Sequence, residues 1–185
     1  MKNPKLASRY AQALYDFSVE SNNVENVYHD VLHFQDIVNE HHELKTVLES
    51  PIIPQDKKHN IIKEIFQNNI GESVFTFFLL MAKKRREPQL LLICRQFIKI
   101  YYNNHNIKEA YITSAQPLSA EITDYIKINL EKDSPYTFIL HLSVDQKLIG
   151  GLVIKIDDYC YDATVQAKIN KLKAEFSQNI YAVGY

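Results

Sequence analysis

Apolar residues recur at every third or fourth position through the first hundred residues of the chain. This spacing places them on one face of a helix, and the pattern predicts six short helices in succession. Proline and glycine separate the helices, for example at Pro51, Gly71 and Pro88. Asn3 and Pro4 predict the start of the first helix, because asparagine caps helices and proline fits their first position. Short links between consecutive helices favour an antiparallel bundle.

The pattern changes after a polar break at residues 103–106. Residues 109–115 alternate between apolar and polar positions and are rich in residues that favour strands. Two further apolar runs, 136–144 and 148–156, are separated by a three-residue turn. Two such runs across so short a turn predict an antiparallel β-hairpin.

A glycine pair, Gly150 and Gly151, interrupts the last apolar run. Glycine weakens a strand, so the pair indicates a bend or a close approach of two backbone segments. A final helix is expected to start near Asp162 or Thr164. The predicted fold is therefore α+β overall, with an antiparallel six-helix bundle over residues 1–105 followed by a small α+β domain with a β-hairpin over residues 106–185.

The composition excludes several classes of protein. The chain has 185 residues, 46% of them apolar, and a formal net charge of -1, which argues against the strongly basic surface of a nucleic-acid-binding protein. Cys94 and Cys160 have no CxxC spacing and are expected to be reduced thiols in a cytosolic setting. The most apolar stretch, 74–82, is far shorter than the roughly 20 residues of a membrane-spanning helix.

No group of residues in the sequence predicts catalysis. His29 and His33 are one helical turn apart, a spacing that can hold zinc, but the nearby His41, His42 and Asp36 lie on no obvious common face with them. The basic run Lys83–Arg86 ends a predicted helix, where cations suit the helix dipole. Motifs for a phosphate loop or a nucleophilic serine are absent. We therefore expect no catalytic residue, no metal site and no cofactor, and a function exerted by contact.

The fifth predicted helix is apolar on nearly all sides between residues 74 and 82. Such a helix must be covered on more than one side. One interpretation places it at the centre of the bundle. The other leaves its outer stripe free to form a groove with the first helix, whose alanines keep that surface thin, and such a groove accepts an amphipathic helix from a partner.

Several motifs in sequence order resemble one protein family, the delta subunit of bacterial F-type ATP synthase, which is equivalent to the mitochondrial oligomycin sensitivity-conferring protein. The similarity extends over residues 7–176, nearly the whole chain. The segments that carry it are Arg9–Phe17, Leu48–Pro54, Phe77–Ala82 with the following arginines, Thr113–Ser119 and Leu148–Asp162.

The resemblance implies a non-catalytic stator subunit. In this family the helical bundle binds the N-terminal helices of the alpha subunits in the catalytic head, and the C-terminal part meets the b subunits of the peripheral stalk. Such a link resists rotational torque during proton-driven ATP synthesis. By matching position, the groove for the alpha helix comprises Tyr10, Ala13, Leu14, Phe77, Leu80 and Met81.

The same resemblance implies a peripheral protein at the cytoplasmic face of the bacterial inner (plasma) membrane, associated with the membrane only through the complex and binding no nucleic acid. An alternative from the residues alone is a generic helical adaptor that binds a regulatory or nucleic-acid partner through Lys83–Arg86. The chain departs from the family pattern at Asp157, where glycine is usual, and at Thr164, where serine is common. Asp tolerates unusual backbone and Thr can cap a helix, so the predicted fold is unchanged.

Overall fold

The computed structural model describes residues 4–132 and 134–179, and the chain divides between Asn104 and His105 into two compact units. The described part of the N-terminal unit is helical, whereas the C-terminal unit combines helices with a sheet. The mixed helix and sheet content agrees with the predicted α+β class. Asn3, the predicted cap of the first helix, lies outside the described residues.

Six α-helices lie in the described part of the N-terminal unit. The first helix packs along the sixth and the fourth packs along the fifth. A single 3₁₀ turn, Glu87–Gln89, precedes the sixth helix. The bounds are α1 Pro4–Glu20, α2 Val24–Glu40, α3 His42–Glu49, α4 Gln55–Phe66, α5 Glu72–Lys83 and α6 Leu90–Asn104.

Helix α5 has one buried face and one open face. Phe78 and Met81 are completely buried. The Phe78 ring centre lies 4.5 Å from that of Phe34 in α2 and 6.1 Å from that of Phe66 in α4, so aromatic rings from three helices meet in the core. Leu80, on the other side of α5, is 44% exposed. Helix α5 is therefore packed in the core on one side and open to solvent on the other.

The turn between α3 and α4 is held by a buried lysine. The Nζ atom of Lys58 donates a hydrogen bond of 2.9 Å to the carbonyl oxygen of Leu48. This carbonyl group is one of the last four of α3, and the last four carbonyl groups of a helix have no hydrogen-bond partner within the helix. The side chain of Ile52, at the tip of the same turn, is 88% exposed.

A four-stranded sheet and two helices make up the described part of the C-terminal unit. Ala110, Ile112 and Phe138 are buried in it, and the first of its helices packs on the second strand. The bounds are β1 Ile107–Ser114, α7 Ala120–Lys132, β2 Thr137–Val144, β3 Leu152–Ile156, β4 Tyr159–Asp162 and α8 Val165–Asn179. The strand order is β2-β1-β3-β4, with β1 parallel to β2 and antiparallel to β3.

The predicted hairpin between runs 136–144 and 148–156 is wrong. Strands β2 and β3 lie on opposite sides of β1 instead of pairing with each other. The chain leaves β2 past the end of β1, where the N–H of Asp145 donates to the carbonyl of Ser114 at 2.9 Å. The hairpin of this unit joins β3 to β4 through Asp157 and Asp158, and Asp157 adopts φ of +50°, a conformation that aspartate tolerates.

Candidate docking groove

An open, mainly apolar groove of about 500 Å³ lies between α1 and α5. Its floor is Leu14, which is buried, and its rim includes Phe17 and Leu80, which are 51% and 44% exposed. Ala7 and Ala11 are buried on the same face of α1 as Leu14, and their small side chains let this helix approach its neighbours closely. The lining residues are Tyr10, Ala13, Leu14, Phe17, Glu72, Ser73, Thr76, Phe77 and Leu80.

The structure brings five of the six predicted groove residues together and moves one elsewhere. Met81 does not line the groove, because its side chain is completely buried. One helical turn after Phe77 adds about 40° of rotation, which turns position 81 toward the buried side of Phe78. Phe17 lines the groove but was not among the predicted residues, although it continues the apolar spacing of α1 after Leu14.

The basic run Lys83–Arg86 completes the end of α5. The N–H of Arg86 donates to the carbonyl of Met81 at 2.9 Å, and Arg85 adopts φ of +56°, the left-handed conformation that ends many helices. The guanidinium carbon of Arg86 lies 5.1 Å from the centre of the Tyr10 ring. A cation at this distance from an aromatic ring attracts it, so Arg86 helps to orient Tyr10 at the groove.

The described residues hold no cluster of three or more side chains suited to a metal ion. His29 and His33 both lie on α2 without a third ligand in that described part. Cys94 is buried, and burial raises the pKa of its thiol above the ordinary value. Among the helices that the structure describes, none combines the length and the apolar character needed to cross a bilayer.

The glycine pair holds the start of α8 against the sheet, and we call this contact between Gly150–Gly151 and residues 163–165 the clamp. A Cβ atom on Gly151 would lie 2.4 Å from the carbonyl oxygen of Ala163, and its φ is +84°. The carbonyl of Gly150 accepts the N–H of Val165 at 3.0 Å. The hydroxyl oxygen of Thr164 caps the helix by accepting the N–H of Ala167 at 3.1 Å. The close approach expected from the sequence is confirmed.

The carboxyl group of Asp162 is also part of this clamp. The N–H of Thr164 donates to its Oδ1 atom at 2.9 Å, and this bond, with a second from the Thr164 side chain, holds the pKa of Asp162 below its ordinary value. A carboxylate of lowered pKa stabilises the folded state above its ordinary pKa of about 3.9, and the effect is lost as pH falls through the folded value.

We therefore expect the N–H resonance of Thr164 to shift with a midpoint below about pH 3.9, measured by NMR titration of the full chain. The matched control is Asp162→Asn, in which this titration should disappear because the amide does not ionise in that range. A midpoint at or above the ordinary value would show that the hydrogen bonds do not favour the ionised carboxyl group.

Comparison with known proteins identifies the family. The family model described as ATP synthase delta (OSCP) subunit matches residues 6–176. The ATP synthase subunit delta of Salinibacter ruber is 33% identical over 93% of this chain and 90% of its own length. That of Cytophaga hutchinsonii is 29% identical over 97% and 98% of the two chains.

The fold has a counterpart among solved structures. A chain of the Toxoplasma gondii mitochondrial ATP synthase hexamer superposes with a TM-score of 0.70 at 18% identity, covering 92% of this chain and 97% of that one. At this identity the likeness concerns the fold alone. The family match and the sequence relatives carry the assignment: the chain belongs to the ATP synthase delta (OSCP) subunit family, whose members are non-catalytic components of the peripheral stalk of F-type ATP synthase.

Proposed function

We propose that the N-terminal unit acts as one antiparallel six-helix bundle that seats the N-terminal helix of an alpha subunit in the groove between α1 and α5. The C-terminal unit then faces the b subunits of the peripheral stalk. The observation that carries the proposal is the open apolar groove, because the residues that line it include Tyr10, Ala13, Leu14, Phe77 and Leu80. An apolar face of an amphipathic helix fits a groove of this kind.

The proposed role is mechanical. During proton-driven synthesis, rotation inside the head exerts a torque on the surrounding ring, and a tether must hold that ring still. Such a tether needs tight contacts at more than one place, because linked contacts multiply affinity without new chemistry. Two compact units in one chain suit this task, since each offers a separate binding surface.

The aromatic lining supports tight binding. Interface energy concentrates in a few residues, often aromatic ones, near the centre of the contact. Tyr10 lies on α1 and Phe77 on α5, so each helix of the groove contributes one aromatic ring. Leu80 adds an exposed aliphatic side chain. A bound helix would cover all three and remove them from water, which favours association.

The test is a titration of the full chain with a synthetic peptide of the N-terminal helix of the alpha subunit from the same organism. Leu80→Asp is expected to weaken binding by at least about thirtyfold, because an interface hot spot is worth about 2 kcal/mol or more. Since Leu80 is exposed, the variant should remain folded. Ile52→Asp is the matched control, with the same change at an exposed residue away from the groove. Equal affinity of the two variants would remove the groove assignment.

The proposed location is the cytoplasmic face of a bacterial inner (plasma) membrane, with attachment only through the complex. The bacterial origin of the relatives in sequence supports this location. The alternative, a generic adaptor that binds a regulatory or nucleic-acid partner through Lys83–Arg86, is not favoured. The family match opposes it, and Arg85 and Arg86 contact Gln55 and Tyr10 of the same unit.

A further inference from the structure

Helix α8 presents an uncovered apolar stripe. Its described side chains after the first turn are exposed on every side of the helix. Val165, Ile169, Leu172 and Phe176 are 39%, 37%, 51% and 69% exposed. An isolated helix of about this length is marginal in water, and helices in proteins are stabilised mainly by packing of their apolar face. The stripe therefore lacks the contact that normally stabilises such a helix.

The spacing of the stripe is that of a coiled coil. Successive apolar residues are four, three and four positions apart, which places Val165 and Leu172 at d positions and Ile169 and Phe176 at a positions of a heptad. Such an a/d seam is narrow, whereas a helix lying in a membrane interface carries a wide apolar face. The stripe is thus suited to one partner helix and not to a lipid surface.

The charges beside the stripe indicate the kind of helix that fits. Lys168 occupies a g position and Lys173 an e position, one on each side of the seam, and Glu175 occupies the next g position, so the charge beside the seam is net positive. If two copies of α8 paired in parallel, Lys168 of each would face Lys173 of the other, and like charges at these positions oppose pairing. A helix with acidic residues at its own e and g positions would instead form attractive pairs with both lysines.

The attachment of α8 favours binding as well. Its first turn is fixed by the bonds from Val165 to Gly150 and from Ala167 to Thr164, so the start of the helix is ordered before any partner arrives. Ordering in advance lowers the entropy lost on binding. This matters because the seam covers only about two heptads, which is short for a coiled coil.

We propose that α8 pairs through Val165, Ile169, Leu172 and Phe176 with a partner helix that carries acidic residues beside an apolar seam. The inference rests on the proposed function in one respect, that the C-terminal unit faces the stalk and not the head. It assigns the contact to one element of that unit and specifies the charge of the partner.

The experiment uses the full chain and two synthetic peptides of about three heptads, with Ile at a and Leu at d positions. One peptide carries Glu at all e and g positions, and the other carries Lys there. Calorimetric titration should show at least about tenfold tighter binding of the Glu peptide. Leu172→Glu should weaken that binding at least about tenfold, whereas Ala174→Glu, the same introduced charge on the opposite face, should leave it unchanged. The double variant Lys168→Glu with Lys173→Glu should prefer the Lys peptide.

Several results would overturn the proposal. Equal affinity for the two peptides, or equal behaviour of the Leu172 and Ala174 variants, would exclude a charged seam. Dimerisation of the unmodified chain in sedimentation, abolished by Leu172→Glu, would assign the stripe to a second copy. Binding to phosphatidylglycerol vesicles that Leu172→Glu abolishes, without a preference between peptides, would assign it to lipid. The Leu80→Asp titration is independent of all these results. A failure of the α8 proposal is therefore distinguishable from a failure of the proposed alpha-helix groove.

Discussion

Replacing Gly151 by alanine is expected to loosen the C-terminal unit and free the start of α8. An L-residue held at a left-handed φ such as the +84° of Gly151 costs about 1–2 kcal/mol. The added Cβ would also lie 2.4 Å from the Ala163 carbonyl oxygen and 2.8 Å from the Cα of Thr164, both backbone atoms that cannot rotate away. We therefore expect the unit to lose at least about 2 kcal/mol of stability.

Hydrogen exchange measured by mass spectrometry on the full chain tests this expectation. Peptides from β3 and from the first turn of α8 should exchange faster in Gly151→Ala, while peptides from α1–α6 should not change. Gly150→Ala is the matched control: its φ is not positive, and its Cβ would lie 3.1 Å from a side-chain methyl of Val165, which can shift. If the two variants exchange alike, the clamp does not depend on the backbone approach at Gly151.

This clamp shows what a sequence pattern can reveal. A glycine pair inside an apolar run indicates a bend or a close approach of two backbone segments, because a side chain would be in the way. The pattern does not show which segment approaches. The structure identifies it as Ala163–Thr164, a dozen residues later, at the start of α8.

The sheet marks the limit of such patterns. Alternation and short apolar runs located β1, β2 and β3, because these patterns report which residues of a strand are buried. Strand order depends on which edges pair, and the short turn at Asp145 favoured a hairpin. The crossover through α7 places β2 parallel to β1 instead, so the following segment crosses the end of β1. No local feature of residues 145–151 encodes that crossing.

Five of the six residues predicted for the candidate groove line it, and the two errors, at Phe17 and Met81, have physical causes. Tyr10, Ala13 and Leu14 follow one stripe of α1, and that stripe continues to Phe17, which the predicted groove residues did not include. Met81 was misplaced because α5 is apolar on both its buried and its open faces. Apolar character alone cannot separate the two faces of such a helix, whereas a mixed polar and apolar helix would have revealed them.

Two adjacent phenylalanines of α5 separate stability from binding. Phe78→Ala is expected to lower the free energy of unfolding of the N-terminal unit by about 3–5 kcal/mol, because a completely buried ring leaves a cavity that the core fills only in part. The lost ring contacts with Phe34 and Phe66 belong to that effect. Urea denaturation of the full chain, followed by its helical circular dichroism signal, measures this loss of stability. In thermal denaturation, each kcal/mol corresponds to about 4–8 °C in Tm for a unit of about 100 residues.

Phe77→Ala should have the opposite profile. Phe77 is only partly buried and lines the groove. Its loss should therefore leave the free energy of unfolding nearly unchanged while weakening the binding of the peptide of the alpha N-terminal helix. The two variants delete the same ring at neighbouring positions, so each controls for the other. If Phe77→Ala destabilised the unit as much as Phe78→Ala and left peptide affinity intact, α5 would be a core helix on both faces and could not hold the head. The expected separation follows from rotation about the helix axis, since about 100° between the two side chains places one ring in the core and the other at the interface.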